Sequence, residues 1–85
     1  MGRLPISAVW PLQDGVLQII FETGSTAVVN LRPKFETARF CPLREESVWK
    51  NVKTDGNFVR WYRDGIPIVE MACEEVLGMI VGSYY

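Results

Sequence analysis

The chain contains two cysteines and no histidine, which limits the chemistry that its side chains can perform. Histidine is a frequent general base and the commonest metal ligand, so its absence excludes histidine-based triads and imidazole metal sites. Cys41 and Cys73 lie far apart without Cys-x-x-Cys spacing. Two thiols alone cannot complete a four-coordinate structural zinc site. We therefore expect no metal site and no cofactor.

Cys41 is the strongest candidate for a reactive side chain, because Arg39 and Arg44 lie close to it in sequence. Positive charge beside a cysteine favours the nucleophilic thiolate. The favoured interpretation is that Cys41, like Cys73, is a small filler of the hydrophobic core. Each aspartate precedes a glycine, as is typical of turns, and the glutamate pairs at 45–46 and 74–75 diverge around a helix. We predict no catalytic residue and no enzymatic activity.

A run of alternating basic and aromatic residues extends from Arg60 to Arg63. Such a run on a strand can stack nucleobases and neutralise phosphates. A second basic cluster lies between Arg32 and Arg44, so the candidate nucleic-acid contacts are Arg39, Arg44, Arg60 and Arg63. The alternative places Trp61 in the core with the two arginines of the run in solvent. Nine basic and ten acidic residues give a net charge of −1, whereas nucleic-acid-binding domains usually carry a basic surplus. Nucleic-acid binding is therefore the second hypothesis.

Apolar and aromatic residues at expected surface positions favour a protein interface, where aromatic side chains and arginine are enriched. The candidate interface residues are Trp10, Tyr62, Val81, Tyr84 and Tyr85. A chain of 85 residues has little spare core in which to hide an apolar terminus. We therefore expect a non-enzymatic protein-interaction module that forms homodimers.

The elements that position these residues are separated by turns. With 48% hydrophobic and 22% charged residues, the chain has the composition of one globular domain over residues 1–85. Asp-Gly pairs mark the strongest turns, and alternating residues between turns predict strands over 4–12, 16–22, 25–31, 52–54, 57–63 and 66–70. The first strand is expected to place alternate residues from Leu4 to Leu12, Trp10 included, on one face.

Helical spacing replaces this alternation in two places. A loop or a short turn of helix over residues 34–42 is expected to be anchored by Phe35 and Phe40, and a short amphipathic helix follows from Leu43 to Val52. A second helix is predicted over residues 72–81. The fold class is therefore α+β: a three-stranded antiparallel β-meander, a short helix, β-hairpin strands and a C-terminal helix.

Neither end of the chain shows a targeting or membrane signal. The first residues lack the apolar stretch of a signal peptide. The longest strongly apolar run, from Val76 to Val81, is far shorter than the ~20 residues that span a bilayer. We expect a cytoplasmic protein that does not associate with membranes.

The order of turns and strand hydrophobics resembles a small bacterial family, domain of unknown function family 2442. The shared pattern is Ile6-x-x-Val9-x-Pro11-Leu12-x-Asp14-Gly15-x-Leu17-x-Ile19-x-Phe21-Glu22-x-Gly24, then Val29-x-Leu31, Phe40-x-x-Leu43, Trp49-x-x-Val52, Asp55-Gly56, Val59-x-Trp61, Ile66-x-Ile68 and Leu77. The resemblance implies a meander, helix and hairpin in an α+β fold. Members of that family stand alone or precede a helix-turn-helix domain, and some accompany partners in toxin–antitoxin-like pairs. The resemblance thus implies an antitoxin-like or accessory role and no catalytic residues.

Overall fold

The computed structural model describes residues 5–82, which form two three-stranded antiparallel sheets and two α-helices. The first sheet has the order β1 (Ile6–Pro11), β2 (Val16–Phe21), β3 (Thr26–Asn30). The second sheet has the order β4 (Val52–Thr54), β5 (Phe58–Arg63), β6 (Ile66–Ala72). Helix α1 (Glu46–Trp49) precedes the second sheet, and α2 (Cys73–Gly82) follows it. The predicted α+β fold, with its meander, hairpin strands and C-terminal helix, is confirmed.

The Asp-Gly pairs form turns, as predicted. Asp64 and Gly65 join β5 to β6 with φ angles of 53° and 79°, the left-handed backbone that a two-residue hairpin loop requires. Asp14 and Gly15 have φ angles of 60° and 75° between β1 and β2. At Gly15 a Cβ atom would lie 3.0 Å from the Cβ of Arg32, so this turn needs glycine for space as well as for conformation.

The first strand differs from its predicted side-chain pattern. Its pairing with β2 shifts register between Ile6 and Ala8, which marks a β-bulge. Because a bulge adds one residue, the alternation changes phase there. Ile6 and Val9 are therefore buried, whereas Ala8 is half-buried and Trp10 is exposed. The prediction that alternate residues from Ile6 to Leu12 share one face is wrong, and Leu4 lies outside the described residues.

The segment between the sheets contains short helical turns, one of its two predicted forms, but its α-helix is shorter than predicted. Short 3-10 helices span Arg32–Glu36 and Cys41–Arg44, and α1 contains only Glu46–Trp49. The helix expected from Leu43 to Val52 is interrupted because Glu45 adopts an extended backbone, with φ −81° and ψ 119°. Phe35 and Phe40 are both buried, as predicted.

The core lies between the inner faces of the two sheets and the helical segment. Trp61 is fully buried and stacks on Trp49, with ring centroids 6.0 Å apart. The Trp49 indole donates a hydrogen bond to the Leu12 carbonyl, 2.9 Å away. At the junction of the sheets, the Ile6 amide donates to the Gly56 carbonyl at 3.0 Å. The alternative that placed Trp61 in the core is confirmed.

Candidate protein-interaction surface

The outer face of the first sheet carries no charged side chain. Strand pairing places Trp10 opposite Gln18 and Gln18 opposite Val28, so these three side chains form one row across the sheet. Ala8, Ile20 and Thr26 form the row on one side of it, and Leu12, Val16 and Asn30 form the row on the other side. The side chains of these rows point to the same side of the sheet. We call the whole set the uncharged face; its residues are Ala8, Trp10, Leu12, Val16, Gln18, Ile20, Thr26, Val28 and Asn30.

Large apolar side chains of the uncharged face reach solvent. The exposed fractions are 55% for Trp10, 41% for Leu12 and 61% for Val28. Apolar patches larger than a few hundred Å² are uncommon on monomeric proteins and mark sites of interaction; here three large exposed apolar residues lie on one face, with Gln18 between Trp10 and Val28. The sequence pattern singles out Trp10 alone here. The apolar residues at outward positions of β2 and β3, Val16, Ile20 and Val28, are the signal that would have found the rest.

Of the other candidate interface residues, only Tyr62 has a described side chain, and it does not join Trp10. Tyr62 lies half-buried on the outer face of the second sheet, where the Lys53 ammonium is 5.7 Å from its ring centroid. The side chain of Val81 and the whole of Tyr84 and Tyr85 lie outside the described residues. The structure therefore brings together a surface around Trp10 and places Tyr62 on a different one.

Ion pairs cover the outer face of the second sheet. Arg60 lies at its centre and donates to Asp55 at 2.8 Å and to Glu70 at 2.9 Å. Its guanidinium also lies 4.9 Å from the Phe58 ring centroid. The hydrogen bond to Asp55, then that to Glu70, raises the pKa of Arg60. The hydrogen bond from Arg60 and those from two backbone amides lower the pKa of Asp55 to about 2.

The remaining candidate nucleic-acid contacts are paired as well. Arg63 donates to Glu45 at 2.6 Å, and Arg44 donates to Glu36 at 2.9 Å. Arg39 holds Glu75 through two bonds of 2.7 Å. These bonds raise the pKa of Arg39 and lower that of Glu75 to about 2.

The four arginines do not converge on one basic surface free of acids. Each of them already has a carboxylate partner. A phosphate would therefore have to displace or share that partner at every position, which reduces its gain from counterion release.

A cleft of about 1460 Å³ adjoins one end of the uncharged face. Phe35, Leu43 and Trp49 contribute to its apolar part. Three residues, Leu12, Val16 and Asn30, belong to both surfaces. Its charged residues form three ion pairs: Arg32 with Asp14 at 3.7 Å, Arg44 with Glu36 at 2.9 Å, and Lys50 with Glu46 at 3.0 Å. The charges at the cleft thus balance one another, so the cleft favours neither anions nor cations.

The two cysteines occupy different environments. Cys73 is a buried core residue, as expected, but Cys41 is exposed. The expectation that Cys41 fills the core is wrong, because the 3-10 helix from Cys41 to Arg44 buries Leu43 instead. The Cys41 thiol donates only a long hydrogen bond, 3.5 Å, to the Ala38 carbonyl.

Residues 5–82 contain neither a cluster of metal ligands nor a membrane-spanning helix. This part of the chain contains no group of three or more His, Cys, Asp or Glu residues placed to hold a metal ion. Neither of its helices has the length and apolar character needed to cross a bilayer.

Comparison with protein-family models, with curated proteins and with solved structures finds no match to this chain. Relatives therefore assign no role to any of its residues.

Proposed function

We propose that this protein is a non-enzymatic protein-interaction module that docks a partner protein on the uncharged face. The observation that supports this most directly is the exposure of Trp10 and Val28 in one charge-free row across three strands. Tryptophan buries about 150–250 Å² when it is covered and is the residue type most enriched at binding hot spots. A partner protein that covers this row would therefore gain binding energy from burying these side chains.

The chemistry of the uncharged face limits what it binds. A charged partner surface would lose hydration there and find no opposite charge in return. The docked protein therefore presents an apolar surface with uncharged polar groups, which can pair with Gln18, Thr26 and Asn30. An antitoxin-like or accessory role in the cytoplasm, and homodimer formation, belong to the same proposal.

Nucleic-acid binding remains the second hypothesis and is an outcome of the same test. Its four candidate arginines already form ion pairs with carboxylates of the same chain. If nucleic acid were the partner, binding would weaken steeply with salt and would depend on Arg60 rather than on Trp10.

The test is affinity capture of the tagged protein from lysate of its own source, with and without nuclease. Three baits are compared: the natural chain, Trp10→Ser, and the matched control Tyr62→Ser on the second sheet. The proposal expects a stoichiometric protein that survives nuclease, is lost with Trp10→Ser and is retained with Tyr62→Ser. Backbone amides should exchange more slowly in the complex than in the free chain, and this added protection should be confined to β1, β2 and β3.

Two results would contradict the proposal. One is a partner that binds Trp10→Ser and the natural chain equally. The other is retention of material that nuclease removes, which would move the assignment to the arginines. Circular dichroism of each bait excludes unfolding as the cause of lost binding.

A further inference from the structure

Strand β3 is an edge strand whose outer backbone groups point away from the sheet. The Phe21 amide donates to the Ser25 carbonyl, and the Leu31 amide donates to the Gly15 carbonyl. Bonded positions alternate along an antiparallel pair, so Ala27 and Val29 also face β2. The N–H and C=O groups of the residues between them, Thr26, Val28 and Asn30, therefore face outward, and no described strand pairs with them.

The other sheet edges carry features that block pairing with another chain. Strand β1 contains a bulge and Pro11, and its Ile6 amide is already bonded to Gly56. Strand β4 has only three residues, with Lys53 at its centre. Strand β6 contains Pro67 and Glu70, and its pairing with β5 is irregular. Charge, proline, bulges and shortness are the usual protections of exposed edges.

Strand β3 has none of these protections. Its five residues pair with β2 without a register shift and include no proline and no charge. Val28, at its centre, is 61% exposed. Helix α2 contacts β3, and its partly buried Leu77 and Ile80 pack against the core cluster, as does Ala27 on the inner face of β3. An unprotected edge of this kind is a template for a further strand.

We propose that β3 pairs antiparallel with β3 of a second copy of this chain, about a two-fold axis at Val28. This inference deepens the proposed function, since it assigns the homodimer to one strand. About that axis Val28 lies opposite itself, Ala27 opposite Val29, and Thr26 opposite Asn30. Apolar residues meet apolar residues, and polar residues meet polar residues. An isologous interface requires this self-complementarity.

The backbone geometry fits the same arrangement. The outward-facing groups of Thr26, Val28 and Asn30 lie at the positions that exchange hydrogen bonds across the axis. All three pairs of opposed residues therefore contribute backbone hydrogen bonds or apolar contact without placing a charge at the interface.

The resulting assembly stops at two copies. Pairing uses the β3 edge of each copy, and the remaining edges are protected. The product is a continuous six-stranded sheet in which two uncharged faces lie side by side. The homodimer therefore doubles the docking surface instead of covering it.

The first experiment is sedimentation equilibrium over a range of protein concentrations. The natural chain should reach twice its mass of 9.7 kDa and no more. Val28→Lys places two like charges opposite each other and should weaken the dimer at least about tenfold. Val28→Pro removes an outward N–H without removing a bond to β2, and should weaken it too. Ile66→Lys is the matched control, because Ile66 is 62% exposed at the start of β6, and its dimer should be unchanged.

The second experiment tests the register by disulfide formation. Directly opposed residues in a bonded antiparallel pair have Cα atoms about 5.5 Å apart, within the range that a disulfide spans. With exposed Cys41 changed to serine, Val28→Cys should form a covalent dimer under mild oxidation. Ile66→Cys in the same background should not.

The outcomes separate this inference from the proposed function. A dimer that persists in Val28→Lys and fails to cross-link through Val28→Cys overturns the β3 pairing but not the homodimer. A monomer at every concentration overturns the homodimer and the pairing, while Trp10-dependent capture still tests docking. Growth beyond two copies contradicts the two-fold arrangement.

Discussion

The two sheets have the same architecture, but one has a charged solvent-facing surface and the other an uncharged one. Each has three antiparallel strands and buries one face in the common core. The outer face of the second sheet is covered by Arg60 with its partners Asp55 and Glu70. The outer face of the first sheet carries no charge and exposes Trp10 and Val28. One surface satisfies its charged groups within the chain, and the other leaves apolar area exposed to solvent.

The largest expected effect is a difference in the free energy of unfolding between substitutions on the two faces of β2. Ile19 is fully buried on the inner face of β2, and Ile20 is half-buried on the outer face. Ile19→Ala should lower the free energy of unfolding by about 2–5 kcal/mol, because it leaves a cavity in the core. Ile20→Ala should lower it by no more than about 1 kcal/mol at concentrations where the chain is monomeric. Urea unfolding followed by tryptophan fluorescence measures both, and equal losses would show that the outer face is covered.

A smaller effect is expected when charge is placed on the uncharged face. Gln18 lies between Trp10 and Val28, so Gln18→Lys should weaken docking of the partner at least about tenfold, about 1.4 kcal/mol. Tyr62→Lys on the second sheet is the control and should leave affinity unchanged. Titration by calorimetry with the captured partner measures both affinities. Undiminished binding by Gln18→Lys would place the docking site elsewhere.

The smallest effect is on stability in acid. Glu75 and Asp55 both have a pKa of about 2, below the ordinary values of 4.5 and 3.8. A carboxylate with a lowered pKa in the folded state stabilises the fold above its unfolded pKa, and this stabilisation is lost as the pH falls through the folded pKa. The free energy of unfolding should therefore decrease between about pH 4.5 and pH 2.

The Glu75→Gln variant isolates part of this acid dependence. It removes the pair with Arg39, so its stability should change less over that pH range than that of the natural chain. The effect is modest because both side chains are about half exposed. The uncharged face has no titratable group, so homodimer formation should not change from neutral pH to about pH 5. A full acid dependence in Glu75→Gln would show that this pair does not contribute.

Much of the fold follows from local patterns, whereas the arrangement of the site does not. Asp64-Gly65 predicts a hairpin because its backbone preference is local, and alternation locates β2 and β5 to within a residue or two. The bulge in β1 is not visible in the sequence, since it depends on pairing with β2. It turns Trp10 outward and Val9 inward.

The candidate site residues show the same limit. Arg60 and Trp61 are adjacent in a run that suggests nucleic-acid binding, but one pairs with Asp55 and Glu70 while the other fills the core. Cysteine is commonly a small core residue, so the sequence favours a buried Cys41. It is exposed because a 3-10 helix turns Leu43 inward instead. Such outcomes depend on partners distant in sequence.

The sequence by itself determined the turns, the strands and the division into two β-rich regions, because glycine conformation and apolar alternation act over a few residues. Only the tertiary structure decided which face of β1 reaches solvent, which acids neutralise the arginines, and which edge remains unprotected. Those properties arise when segments far apart in the chain pack together and bury one surface at the expense of another.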